Sequence, residues 1–443
     1  MKILLNLLRY LPSIGNLLPG KGIYIVLFLV ATSASEGHSQ SSAADQKIWT
    51  LETSVEQAVR ISPYMGVAEA EVKSAESSVS QSGAWPNPIV EATANNKLGI
   101  EDGQGGNDLT QMSISQTFPL GRLSNERAEA KAQLSSARQD RHYQQLKLEN
   151  TAAQAFHKLQ IAEAKFKLAQ EQLEFADRYQ IGRKGSDPLV RYLSPLEKKR
   201  LYIVRELAYQ EVTNAEGEYN EAQSTFKTIL QISENSNYQV DILKPYQKEN
   251  DLKKLEKQFA AHPALKALKY KLEATEASID LEKGKRIPDL TLTFFRELDY
   301  LDNRRQNFNG VTLGITLPLW DLNSGNIAKA KVENLKVKYE QQAMEQELVT
   351  KLKQNQAHLV RLINQAESYR TKMLVPTEEV LKLTNSNFKT GGVNVLSLID
   401  AKNTYFDARK RYLELLYESW IEAAELRLAA GTSLINNNPG SDL

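Results

Sequence analysis

Apolar residues along this chain recur in two rhythms. Over most of its length the rhythm is heptad-like: Leu148, Ala155, Ala162, Ala169 and Ala176 form one row, and Ala152, Leu159, Phe166 and Leu173 a second. A seam sustained at seven-residue spacing predicts a helix packed lengthwise against other helices, and its alanines bring those helices close. The stretch holding this seam has no Pro or Gly from Arg122 to Ile181, which makes a rod of about 90 Å. It ends at Gly182, with Gly185-Ser186-Asp187-Pro188 as a turn, and a second helix returns from about Leu189 to Leu230, interrupted at Ser194-Pro195.

The other rhythm has period two. Val311, Leu313, Ile315 and Leu317 alternate with Thr312, Gly314 and Thr316 before Pro318-Leu319-Trp320, the pattern of a strand with one oily and one wet face. Leu109 to Phe118 reads the same way: Met112, Ile114 and Phe118 lie on one face, Gln111, Ser113, Ser115 and Thr117 on the other, and Gln116 falls on the oily side. Ile89 to Asn96 is its partner strand across a loop at 99–107. Trp85-Pro86-Asn87-Pro88 before it is incompatible with a helix interior, and Pro119-Leu120-Gly121 closes the hairpin.

The two rhythms occur twice. His262-Pro263 stands where Ser62-Pro63 stood, and Ile287-Pro288 where Asn87-Pro88 stood. Leu290, Leu292 and Phe294 alternate with Thr291 and Thr293, and a loop is expected from Glu297 to Asn309 before the Val311 strand. A second rod runs from Ile327 to about Thr390, with Leu352, Leu359, Ala366 and Met373 in one row and a kink at Pro376. Gly391-Gly392 makes the turn, and a last helix spans about Val395 to Ala430. The organisation expected is a first repeat at 48–232, a linker at 233–255, a second repeat at 256–431 and a tail at 432–443. Ahead of the first hairpin, a helix starts near Thr53 or Ser54, and another runs to about Gly83 with Ala68, Ala70, Val72, Ala75 and Val79 on its face. Tyr238 to Leu243 is expected to form a strand pairing near Ile48 to Leu51.

Four strands cannot close a barrel, and an open sheet edge in lipid strands backbone groups without partners. A strand of about ten residues is nonetheless long enough to cross a bilayer when tilted. Membrane strands therefore require several copies of the chain. Two would supply eight strands and three would supply twelve; small polar residues on the wet face favour an open lumen and hence three. The rods all leave the hairpins on the side away from the loops, so in the same symmetry they extend the pore as a helical tube.

Composition adds a compartment. Lys2, Arg9 and Lys21, the apolar run Ile23 to Ala31 and the small residues Thr32-Ser33-Ala34 have the layout of a secretory signal peptide at 1–34. Its removal takes three basic residues from a chain of net charge +1, leaving about minus two. The balance of 55 basic against 54 acidic residues gives no basis for nucleic-acid binding. With no cysteine, disulfides and an amino-terminal lipid-modified cysteine are both excluded.

From Thr50 to Gly431 the chain resembles the TolC-type outer-membrane efflux ducts, including their heavy-metal branch. The resemblance rests on Thr50-Leu51, Ala58 and Pro63, on Pro86-Asn87-Pro88, Phe118-Pro119-Leu120-Gly121 and Ile287-Pro288-Asp289-Leu290, and on Leu317-Pro318-Leu319-Trp320-Asp321. Gly391-Gly392-Val393-Asn394-Val395-Leu396-Ser397-Leu398-Ile399-Asp400-Ala401 completes the set. It implies a mostly α protein with a membrane β-barrel: a homotrimer with a twelve-stranded barrel in the outer membrane of a Gram-negative bacterium and an α-helical periplasmic tunnel. It implies a passive channel docked on a periplasmic adaptor and an inner-membrane pump. The barrel lumen would hold Gln111, Ser113, Ser115, Thr117, Thr312, Gly314 and Thr316. Met112, Ile114, Phe118, Val311, Leu313, Ile315 and Leu317 would meet outer-membrane lipid. The turns at Gly185 and at Gly391, Gly392 and Val393 would be the closed tip, where Asp400 matches a position of an acidic ring whose three carboxylates would repel one another and attract cations. Ser397 stands where the family is often acidic, and Val393 replaces a basic latch.

Chemistry of other kinds finds no foothold. Histidines 38, 142, 157, 262 and 358 show no zinc-site spacing, and the helix-face imidazoles of His157 and His358 are expected to be solvated, as is the basic run Lys198-Lys199-Arg200. No phosphate loop or nucleophile elbow is present, so neither an enzyme nor a cofactor is expected. A protein-secretion duct and a non-conducting envelope coiled coil are the alternatives left open.

Overall fold

The computed structural model describes residues 47–94, 110–179, 193–233, 238–247, 258–301 and 304–435. The expected signal segment, His38, the 99–107 loop, the turn at Gly182 to Pro188, most of the linker and the tail from 436 lie outside the described residues.

Two helix starts are built alike. Ser62 ends α1 (Leu51–Ile61) and caps α2 (Pro63–Gln81), its hydroxyl accepting the Tyr64 N–H at 3.3 Å. His262 caps α5 (Pro263–Gly284), its Nδ1 accepting the Ala264 N–H at 3.2 Å. In both, proline occupies the first helical position, where its missing N–H costs nothing. α1 begins at Leu51, earlier than the sequence suggested, because Thr50 and Thr53 form a reciprocal capping box.

Each capped helix feeds a hairpin. β2 (Ile89–Ala94) and β3 (Thr110–Phe118) precede the rod α3 (Leu123–Arg178) and its return helix α4 (Pro195–Leu230). β5 (Leu290–Leu301) and β6 (Arg304–Ile315) precede α6 (Ser324–Tyr369), α7 (Val375–Lys389) and α8 (Val395–Ala430). The hairpins join into one antiparallel sheet in the order β2-β3-β5-β6. A second, parallel pair joins β1 (Lys47–Trp49) to β4 (Tyr238–Val240), with Ile48 opposite Gln239, as expected from the two flanking stretches.

Other boundaries differ from the sequence reading as well. The expected loop from Glu297 to Asn309 is mostly strand, since β5 and β6 each run twelve residues; along β6 the run Gln306-Asn307 puts polar residues at successive positions and breaks the alternation while backbone pairing continues. β6 also stops at Ile315, because its ladder ends where β5 begins, at Leu290. Thr316 and Leu317 therefore follow the paired strand. Ser194-Pro195 starts α4, with Glu197 accepting the Ser194 N–H at 2.8 Å; the part of the expected return helix before it, at 189–192, lies outside the described residues.

The expected disturbance at Pro376 is a π-helical turn, Arg370–Leu374, in which the Val375 N–H reaches back to the Arg370 carbonyl. Proline has no N–H to give the preceding turn, and the wider turn accommodates its ring. The extra residue also rotates the helix surface. Leu352, Leu359 and Ala366 are buried, but Met373, next in the row, is 46% exposed.

The core follows the seams. Ala155, Ala162, Ala169 and Ala176 of α3 are buried, and so are Leu201, Ala208, Ala215 and Ala222 of α4, again every seven residues. Trp49, Phe156, Leu159, Phe226 and Leu230 fasten the small parallel sheet to these helices. On the other side of the bundle, Leu352 and Leu359 pack against Ala423, Leu426, Ala429 and Ala430 of α8. Among the described residues no helix is long and apolar enough to cross a membrane.

Candidate functional site: a two-faced sheet and a helical tip

Register sorts the sheet's side chains. The row Val90, Ile114, Phe294 and Val311 crosses all four strands, and every member is exposed and apolar. Toward the helices it is followed by Leu292 with Leu313 and by Leu290 with Ile315. Met112 lies on the same face, and so does Phe118, whose ring meets Trp85 edge-on at 5.1 Å. The odd residue, Gln116, turns its amide to the Pro86 and Thr117 carbonyls, which explains a polar residue on the oily side. Apolar exposure continues past the sheet at Leu317, Leu319 and Trp320, the last 92% exposed.

The opposite face is hydroxylic. Ser115 bonds Thr293 at 2.9 Å and Thr117 bonds Thr291 at 3.0 Å, with Thr312 and Gly314 beside the same threonines on β6. Farther from the helices this face carries Glu91 beside Ser113, and Glu297 beside Gln111. The far edge of the Phe295 ring lies over Gly310, where an added Cβ would stand 2.2 Å from the ring's Cζ. Glu91, Glu297 and Phe295 were missed from the sequence; Glu297 and Phe295 lay in or next to a region read as loop.

The helices end, away from the sheet, in a turn built by glycine. Gly391 has φ +76, and the Gly392 N–H closes onto the Asn387 carbonyl at 2.8 Å, terminating α7. Asn394 starts α8, its Oδ1 accepting the Ser397 N–H at 2.9 Å and the Ser397 hydroxyl at 3.1 Å. Val395, Leu398 and Ile399 then pack with Phe388, Tyr179 and Leu201, and half-buried Val393 joins them. Ser397 and Asp400 are exposed, three residues apart and so on one helix face. Gly185 lies outside the described residues.

Nearby, a contact that spacing did not reveal ties the two repeats. The Lys402 ammonium sits 4.8 Å from the Phe175 ring of α3 and 5.0 Å from Phe406, and burial pushes its pKa down. Arg409 pairs with Glu171 at 2.6 Å one step farther along.

Two histidines are unlike the expectation of solvated imidazoles. His157 is 3% exposed, stacked at 4.7 Å on Trp420. Its Nδ1–H reaches Gln160 Oε1 at 2.8 Å, and Gln160 donates to the Asp241 carbonyl. Burial lowers its pKa to about 4. His358 is half-exposed and meets Glu422 at 2.9 Å. Among the described residues no group of three metal-ligating side chains converges.

This geometry has known counterparts. A family model described as outer membrane efflux protein matches residues 54–183 and 255–432. The cobalt-zinc-cadmium resistance protein CzcC of Cupriavidus metallidurans is 24% identical over 397 residues, covering 85% of this chain and 88% of that protein. The outer membrane protein VceC of Vibrio cholerae superposes with a TM-score of 0.71 at 14% identity, covering 86% of this chain and 96% of that one. The open-state outer membrane channel MtrE of Neisseria gonorrhoeae gives 0.69 at 18% identity, over 87% and 90%. With its paired repeats, amphipathic sheet and long helical hairpins, the chain belongs to the outer membrane efflux protein family and is an outer-membrane channel of Gram-negative efflux systems, not an enzyme.

Proposed function

We propose that three copies of this chain close their sheets into a single twelve-stranded barrel continued by a periplasmic tunnel, and that the assembly conducts cations handed to it by an adaptor and an inner-membrane pump. One observation carries the reading: the sheet has two open edges, β2 and β6, one continuous apolar face and one hydroxylic face. Unpaired backbone at both edges is intolerable in hydrocarbon. Adding β2 of the next copy to β6 continues the antiparallel alternation, and three sets of four strands make twelve.

In that assembly Met112, Ile114, Val311, Leu313 and Ile315 meet lipid, while Gln111, Ser113, Ser115, Thr117, Thr312 and Gly314 line the lumen. Trp85 and Trp320 stand at the helix-side interface, where tryptophan is favoured. Glu91 and Glu297 would form rings of negative charge in the lumen, which suits cationic cargo, and the similarity to a cobalt-zinc-cadmium resistance protein supports divalent metal ions as that cargo. The tip at Gly391 to Asp400 would be the closed end of the tunnel and the surface the adaptor engages, with three Asp400 carboxylates around the axis.

The test is reconstitution. The purified protein should migrate as a trimer by native mass spectrometry and give stepped, cation-selective conductance in a planar bilayer. Asp400→Ala should raise the open fraction. A trimer that stays silent in both forms would overturn the channel geometry proposed here.

A further inference from the structure

The sheet's charges are divided between its faces. Glu91 and Glu297 share the hydroxylic face, whereas Arg296 shares the apolar one, between Met112 and Asn309 in the row just beyond Val90, Ile114, Phe294 and Val311. Arg296 is exposed, and among the described residues no carboxylate pairs with it. Below it lies a shallow groove of about 580 Å³, lined by Val90, Met112, Ile114, Phe294 and Val311 with Arg296 at its rim.

We propose that this groove seats an acyl chain of a phosphorylated, multiply acylated lipid of the outer leaflet, with the lipid's phosphate on the Arg296 guanidinium. The inference rests on the reading that the apolar face meets lipid. Position supports it: Arg296 is six residues beyond Leu290, about 20 Å along the strand, at the end away from the helices. In an outer-membrane barrel with periplasmic helices that end is the outer leaflet. Arg296 is the first charged residue met on that face beyond the apolar rows. An arginine at this boundary keeps its stem on apolar surface and its fork in the headgroup layer, where it matches a phosphate bidentately. The groove supplies the apolar half of the ligand and the arginine the anionic half, so a free phosphate would satisfy only one of them.

The absence of cysteine makes the test clean. The purified full-length protein would be placed in vesicles of phosphatidylethanolamine containing either phosphorylated lipid A or its dephosphorylated form, and retained lipid measured by native mass spectrometry. The phosphorylated form should be retained about tenfold better. Arg296→Gln should abolish that preference and Arg296→Lys should keep part of it. Equal retention of the two forms, or a preference unchanged in Arg296→Gln, would overturn the proposal. A spin label at Leu313→Cys, on the same face but outside the groove, separates the two levels: a label in lipid with no phosphate preference refutes the site alone, whereas a label in water refutes the lipid-facing reading and the site with it.

Discussion

Gly121 and Gly284 touch backbone to backbone. A Cβ built on Gly121 would stand 2.4 Å from the Gly284 carbonyl oxygen, and one on Gly284 would stand 2.0 Å from that of Gly121. The first glycine follows β3 and the second ends α5, so the contact joins the exit of one hairpin to the helix that feeds the other. Asn125 donating to the Asp280 carbonyl at 3.1 Å and Arg122 pairing with Asp289 at 3.3 Å surround it.

Since the obstructing atoms are backbone, neither side can rotate away. Gly121→Ala and Gly284→Ala should each destabilise the protein by about 1–3 kcal/mol, read as a lowered thermal midpoint. Gly310→Ala meets only the movable ring of Phe295 and should cost less; equal midpoints for all three would contradict the close-packed junction.

The buried His157 sets a pH dependence. Its folded-state pKa of about 4 lies below the ordinary 6.5, so the neutral ring is favoured by folding. The stabilisation is complete above about pH 6.5 and is lost as pH falls toward 4, amounting to about 3 kcal/mol by the lower end. Thermal midpoints measured from pH 7 to 4 should fall more steeply for the wild type than for His157→Gln. Parallel slopes would show that the imidazole is not held neutral.

At the tip, the Asn394 side chain caps α8. Asn394→Ala should remove about 1 kcal/mol from that helix start and speed amide exchange at Ser397, while Asn394→Asp keeps an acceptor in place. Exchange at Ser397 that is indifferent to both changes would rule out the cap.

The π-helical turn makes a prediction of its own. Leu359→Ala should destabilise by about 2–5 kcal/mol, whereas Met373→Gln, at a position the same heptad row marks as equivalent, should change stability by less than about 0.5 kcal/mol. Urea midpoints of the two variants decide it, and a large loss at Met373 would mean the row continues unbroken through the turn.

Much of this architecture was written in periodicity. The α3 seam, the Ser62-Pro63 and His262-Pro263 starts, the Val311 strand and the last helix from Val395 to Ala430 were legible because each depends on residues close along the chain. Even the flaw at Gln116 was visible, though not its remedy in the Pro86 carbonyl.

What lay beyond reach depends on partners remote in the chain. The outer half of β6 is strand because it pairs with β5, not because its residues alternate. β6 ends at Ile315 because β5 begins at Leu290, a limit no local pattern contains. His157 is neutral and buried because Trp420 and Gln160 close over it, and Gly121 must be glycine because Gly284 lies against it. Periodicity follows from the geometry of one element, so the sequence alone determines which elements form and which faces they bury. Where an element stops, and which polar residue is enclosed, is decided by the surface another element presents, and only the tertiary structure brings that surface into place.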